Sequence, residues 1–152
     1  MIDMAVTMTG PLAKPGKTPA AAHELRVNVT SDPAHLADVR RACEAFCVDC
    51  GLGTAAAADM GLCVNEAMAN VTRHAYDGAT DRPIAVTGRY DGSAVHISIR
   101  DWGSGKVPTA PAWHDPLTPG GLGLVCLRRL MDEVVYTPQV DGMLLTLTKR
   151  KG

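Results

Sequence analysis

No apolar run in this chain comes near the ~18 residues of a membrane span; the longest candidates are broken by Asp59, Asn65 and Glu66. No membrane partner is expected. Neither charge is in excess, since 15 basic and 16 acidic side chains leave a formal net charge of −1. That balance removes the electrostatic reason to expect direct nucleic-acid binding. The opening stretch MIDMAVTMTGPLAKPGK has no basic start followed by an apolar segment, so no secretory signal is read there and a cytoplasmic location is expected. The five cysteines are an odd set, which fits a reduced compartment better than a disulfide framework. Cys43, Cys47 and Cys50 share a helical stripe with Leu36, Val39 and Phe46, and no nearby histidine completes a zinc set. They are expected as core side chains, because a free cysteine behaves as a small hydrophobe. What remains is a chain of 152 residues, 46% hydrophobic and 20% charged, the composition of one globular domain.

Residues 1–22 carry Gly10, Pro11, Pro15, Gly16 and Pro19 and are expected as a flexible tail, with a single domain over 23–150. A strand is predicted over 24–30, where Leu25, Val27 and Val29 alternate with polar residues. Asp32-Pro33 reads as a helix start, with aspartate as N-cap and proline at the first helical position; that helix runs to about Cys50. A second helix is predicted over 54–75, with Thr54 as its possible cap. Strands over 83–90 and 94–101 flank Asp91-Gly92, a hairpin signal. The proline- and glycine-rich stretch 102–120 reads as a loop or lid. A third helix over 122–132 and strands over 133–137 and 143–149 complete the order. Strand and helix do not alternate regularly, so the expected fold is α+β: a two-layer α/β sandwich with a mostly antiparallel, mixed sheet covered on one face by helices.

Three segments carry polar residues in suggestive places. On the second helix Asp59, Glu66, Asn70 and Arg73 fall within about 60° of one another, opposite Val64, Met68, Val71 and Ala75. Glu66 and Asn70, one turn apart, can address one object, and a carboxylate beside an amide oxygen suits magnesium-dependent chemistry. A solvated polar face explains the same stripe. His74 can cap the helix end or meet a phosphate. In VHISIRDWGSGK, Asp101 continues the inward parity of Val95, Ile97 and Ile99. An inward carboxylate needs a donor, and the exocyclic amine of adenine is one. Gly103 and Gly105 would let backbone approach a flat ring, and Lys106 could reach phosphate. A glycine turn with Asp101 bonded to nearby N–H groups is the alternative. In TPGGLGLVCLRRL the glycines run into a helix, whose first N–H groups favour an anion, although they also permit a tight turn. Neither a P-loop nor a dinucleotide fingerprint is matched.

Taken together and in this order, E-x-x-x-N on a helix, D-x-G-x-G after a strand and G-x-G-L before a helix resemble the GHKL ATP-binding (Bergerat-type) fold of gyrase, heat-shock chaperone and histidine-kinase ATPases. More narrowly, NEAMANVTRHAY, RDWGSGK and GGLGLVCLRRLMDEV look like the bacterial anti-sigma factor serine-protein kinases, over about residues 24–149. The resemblance implies ATP and Mg²⁺ as cofactors, with Glu66 as catalytic base and Asn70 as the magnesium ligand. It implies Asp101 at the adenine amine, Gly103 and Gly105 as the first glycine box, and Gly121, Leu122, Gly123 and Leu124 at the phosphates. Arg73, His74 and Lys106 join the expected ATP-binding set. One departure stands out: the family often carries Gly-Thr before its last strand, where this chain has Gly142-Met143. The implied function is a protein-serine kinase that phosphorylates a STAS-type anti-sigma factor antagonist, binds and inhibits a sigma factor, and forms a homodimer. The alternative is a non-catalytic ATP-binding regulatory module that sequesters a protein partner.

Overall fold

The computed structural model describes residues 2–9, 22–104 and 121–152. Its framework is an open six-stranded sheet: β1 (Asp3–Thr9), β2 (Ala22–Thr30), β3 (Pro83–Tyr90), β4 (Ala94–Asp101), β5 (Glu133–Gln139) and β6 (Gly142–Arg150). The spatial order is β1-β2-β3-β4-β6-β5, so β6 inserts between β4 and β5. All five described ladders are antiparallel. Helices α1 (Leu36–Asp49), α2 (Thr54–Asn70) and α3 (Gly121–Leu130) lie on one face, α1 against β2, α2 against β4 and β6, and α3 against β5. This is the expected two-layer α+β sandwich. Among the described residues no helix is long and apolar enough to cross a membrane.

Strand parity decides which face is buried. Side chains two apart share a face, so Leu25, Val27, Val29, Ile84, Val86, Val95, Ile97, Ile99, Leu145 and Leu147 all point under the helices and are buried. Gly88 opposes both Leu25 and Ile97. A Cβ there would lie 2.9 Å from the Phe46 ring and 2.9 Å from Ile97 Cδ1, so the absent side chain makes the seat for Phe46. Gly61 does the same between helices, since a Cβ at that position would run into the Glu44 side chain. Cys43, Cys47, Cys50 and Cys63 are buried. Burial pushes Cys47 and Cys63 up to about 12 and Cys50 to about 11, and raises Cys43 as well, which is the behaviour of core thiols.

Several local expectations are met. The Asp32 carboxylate accepts from Ala34 N–H at 2.9 Å and caps a 3₁₀ turn, Pro33–His35, that leads into α1. Asp91 Oδ1 accepts from the N–H groups of Ser93 and Ala94 in the β3–β4 turn, and Gly92 there has φ +93°. Others differ. Residues 3–9, expected within the tail, form β1 in register with β2 from Asp3↔Asn28 to Thr9↔Ala22; the alternation Ile2, Met4, Val6, Met8 was the signal, overshadowed by the glycines and prolines that follow. The rest of that tail, 10–21, lies outside the described residues. At the start of α2 the cap position is Gly53, with no side-chain bond from it, rather than Thr54. Regular α-helix ends at Asn70, and Val71–Ala75 form a π-helical turn closed by Tyr76 N–H donating to the Val71 carbonyl at 3.0 Å.

Candidate functional site

Where α2 and its π turn cross the C-terminal end of β4, a recess opens between helix and sheet. It is shallow, with about 50 Å³ of cavity volume, and its mouth is open to solvent. The helix side supplies Ala67, Asn70, Val71, His74 and Ala75, and the sheet side supplies Ile99, Asp101, Tyr136, Met143 and Leu145. Most of the wall is therefore apolar, with a few polar groups converging on it.

Asp101 is the buried charge of this recess, at 4% exposure. It ends β4 opposite Ile84 on one side and Met143 on the other. Its Oδ1 accepts from Gly103 N–H at 2.9 Å, as the turn alternative anticipated. A carboxylate can accept about four hydrogen bonds in all, so this bond leaves capacity for a ligand donor. The chain after Asp101 is fixed from two directions. Trp102 N–H donates to the Tyr76 hydroxyl at 2.8 Å, and that hydroxyl donates to the Pro83 carbonyl. Ser104 N–H donates to the Ala75 carbonyl at 3.2 Å. Gly103 also meets a packing demand: a Cβ there would lie 2.7 Å from both the carbonyl carbon and the Cβ of Ala75. Glycine is required because the loop lies directly on the end of the π turn. The Trp102 indole is half-exposed, carries the Arg100 guanidinium 4.7 Å from its centroid, and lines a neighbouring hollow with Tyr76 and Arg82.

Three of the expected residues, Asn70, His74 and Asp101, meet in the recess. Glu66 is half-buried one turn earlier on α2 and does not line it. Arg73 is exposed, and its Nη2 donates to Asn70 Oδ1 at 2.8 Å, the oxygen expected to face a metal. Gly121, Leu122, Gly123 and Leu124 make the first turn of α3, where amide N–H groups have no intrahelical acceptor. Gly105 and Lys106, with the rest of the expected lid to residue 120, lie outside the described residues. Sequence reasoning missed Tyr136, Met143 and Leu145. Their inward parity in β5 and β6 was readable; their position beside Asp101 depends on β6 pairing with β4.

An α+β sandwich with an apolar recess over a buried aspartate at a strand end is the frame of an ATP-binding domain. The chain belongs to the histidine kinase-like ATPase domain family, whose model matches residues 29–149. That membership makes ATP binding the property of the domain. Among solved structures, the RsbU and RsbW domains of Rv1364c from Mycobacterium tuberculosis superpose with a TM-score of 0.55 at 23% identity, over 82% of this chain and 32% of that one. The likeness is one of fold, and this chain spans about a third of the length of its neighbour. The histidine kinase domain of the blue-light activated histidine kinase from Erythrobacter litoralis gives a TM-score of 0.48 at 19% identity, over 81% of this chain and 62% of that one. No curated protein matches the chain.

Proposed function

We propose that the chain is an ATP- and magnesium-dependent protein-serine kinase that phosphorylates a small STAS-type anti-sigma factor antagonist, and that it also binds and inhibits a sigma factor, acting as a homodimer in the cytoplasm. The observation that carries the kinase reading is Glu66, a half-buried carboxylate one helical turn from Asn70 and outside the recess lining. Holding a nucleotide base gives no reason for an acid at that place, whereas proton transfer from an incoming hydroxyl does.

The residues fit the group they would hold. Val71, Ile99 and Leu145 offer apolar walls to a base, and the buried Asp101 carboxylate offers acceptors to its exocyclic amine. Asn70 offers an amide oxygen to the cation; magnesium takes few protein ligands beside phosphate oxygens and water, so a single such oxygen is enough. That oxygen accepts from Arg73; with a cation held by Asn70, the Arg73 guanidinium would be available to the charged tail of the nucleotide. His74 sits on the same rim. The first turn of α3, Gly121 to Leu124, presents amide N–H groups to phosphate oxygens, and Gly105 and Lys106 belong to the segment proposed to close over them. Bound ATP supplies the transferable phosphoryl group, and Mg²⁺ offsets its charge. Glu66 orients the serine hydroxyl and takes its proton, while positioning and fixed charge do the remainder.

Incubation with γ-labelled ATP and a purified antagonist domain tests this reading. Glu66→Ala is expected to retain ATP binding and to lose transfer by roughly 10²–10⁴-fold. Transfer at the wild-type rate would remove Glu66 from the mechanism. A wild type that binds ATP and labels no candidate leaves the sequestering module in its place.

A further inference from the structure

Lys149 continues the inward parity of Met143, Leu145 and Leu147 toward the end of β6. A lysine on that apolar face needs partners for its ammonium, and it has two. Its Nζ donates to the Leu130 carbonyl at 2.6 Å. That carbonyl is one of the last of α3, which lack intrahelical donors and form the negative end of the helix dipole. The same Nζ lies 3.6 Å from Asp59 Oδ2 on α2. Two backbone bonds complete the clasp: Asp132 N–H donates to the Thr148 carbonyl at 2.9 Å, and Arg150 N–H donates to Asp132 Oδ2 at 2.6 Å. Of these contacts, those of Lys149 alone join both helices to the sheet. Asp59 lies on the polar stripe of α2 that carries Glu66 and Asn70, and the charges of Asp59, Lys149 and Glu66 all bear on the Cys63 thiol among them. The 10 residues of α3, at ~1.5 Å each, put its first turn ~15 Å from this clasp. A tilt of about 4° at the fastened end therefore shifts that turn by about 1 Å, a displacement large enough to matter to a positioned reactant.

We infer that Lys149 is a positioning residue: it fastens the C-terminal end of α3 to β6 and to the polar face of α2, and so sets the first turn of α3 where the charged tail of the nucleotide passes. The assignment rests on the reading of that turn as the phosphate end of the ATP site. Among the described residues, none that lines the recess comes from α3, so a shift of α3 is felt by the phosphates and not by the base.

Calorimetric titration of the full chain with AMP and with ATP, magnesium present in both, tests it. Lys149→Met, which keeps the aliphatic stem and loses the ammonium, is expected to bind ATP about 5–30-fold more weakly and AMP within about 2-fold of wild type. Lys149→Arg, which can still donate to the Leu130 carbonyl, should stay within about 2-fold of wild type on both ligands. Asp59→Asn, at a half-exposed side chain, leaves the fold intact and separates positioning from charge. Removing a negative charge by itself favours an anionic ligand, whereas slackening Lys149 weakens ATP binding, by about 2–5-fold. An equal loss of AMP and ATP in Lys149→Met, no loss of either, an arginine variant as weak as the methionine one, or an Asp59→Asn that binds ATP as well as wild type or better overturns the assignment while leaving α3 at the phosphates. A wild type that binds AMP as tightly as ATP, or binds neither, overturns the phosphate role of α3 and this assignment together.

Discussion

Replacing Gly103 by alanine adds one methyl group at a point where the loop after β4 has no room for it. The new Cβ would lie 2.7 Å from the carbonyl carbon and the Cβ of Ala75, and closer still to its carbonyl oxygen. Ordinary carbon contacts run at ~3.5–4.0 Å, so the loop must withdraw by about 1 Å. Ala75 cannot yield in its place, because it closes the π turn and is buried. Overpacking of this kind costs about 1–3 kcal/mol, and loss of the Ser104 N–H to Ala75 carbonyl bond adds about 1 kcal/mol. A total of roughly 2–4 kcal/mol corresponds to a fall of ~4–16 °C in the thermal midpoint for a domain of this size. The same displacement carries Asp101 with it, through the bond from Gly103 N–H to its carboxylate. A misdirected hydrogen bond to a charged group is worth about 1.5–3 kcal/mol, or ~10–150-fold in ATP affinity. Differential scanning fluorimetry without ligand and calorimetry with ATP read the two effects separately. Gly53→Ala is the control: Gly53 has φ −65° and nothing within 4 Å of an added Cβ. If Gly103→Ala matched that control in both assays, the account of the loop as seated on the π turn would be refuted.

Four further outcomes follow from the same geometry. Asp101→Ala should leave the fold standing and weaken ATP binding by at least ~10-fold, measured by calorimetry. Gly88→Ala should cost about 1–3 kcal/mol in urea unfolding, because the added methyl meets Phe46 and Ile97; Phe46→Leu in the same chain should recover part of that loss, giving a coupling energy in a double-mutant cycle. Tyr76→Phe removes the acceptor for Trp102 N–H and the donor to Pro83, and should lower stability by about 1–3 kcal/mol. The buried thiols have folded-state values raised above the ordinary 9.0. Their contribution is complete below pH 9 and is lost as pH rises through about 11–12, at up to ~1.4 kcal/mol per pH unit for each thiol. Urea midpoints at pH 8 and pH 10 check the sign, and a midpoint unchanged at pH 10 contradicts burial as its cause.

Much of the frame could be read from the chain before any coordinates. The turn residues Asp91-Gly92 mark a hairpin, and alternation in 24–30 and 94–101 separates core from solvent side chains, because both signals are local. The β1 strand escaped notice because its short alternation leads into a proline- and glycine-rich stretch. The π turn escaped because a period of 100° per residue carries no mark of where a helix widens. That widening matters at the site, since it is Val71, His74 and Ala75, beyond the regular helix, that line the recess.

The sequence by itself determined the helices and strands from β2 onward, the inward face of β2 and β4, the capped entry to α1 and the one-turn spacing of Glu66 and Asn70. These rest on backbone periodicity and on side chains acting within a few residues of themselves. Only the tertiary structure decided that β6 lies between β4 and β5, and with it that Met143, Leu145 and Tyr136 share a wall with Asp101. It also decided that Gly103 answers to Ala75 and that Arg73 holds the oxygen of Asn70. Neighbours across a sheet, or between a loop and a helix end, are chosen by strand pairing and packing over tens of residues, and no local pattern in the chain records that choice.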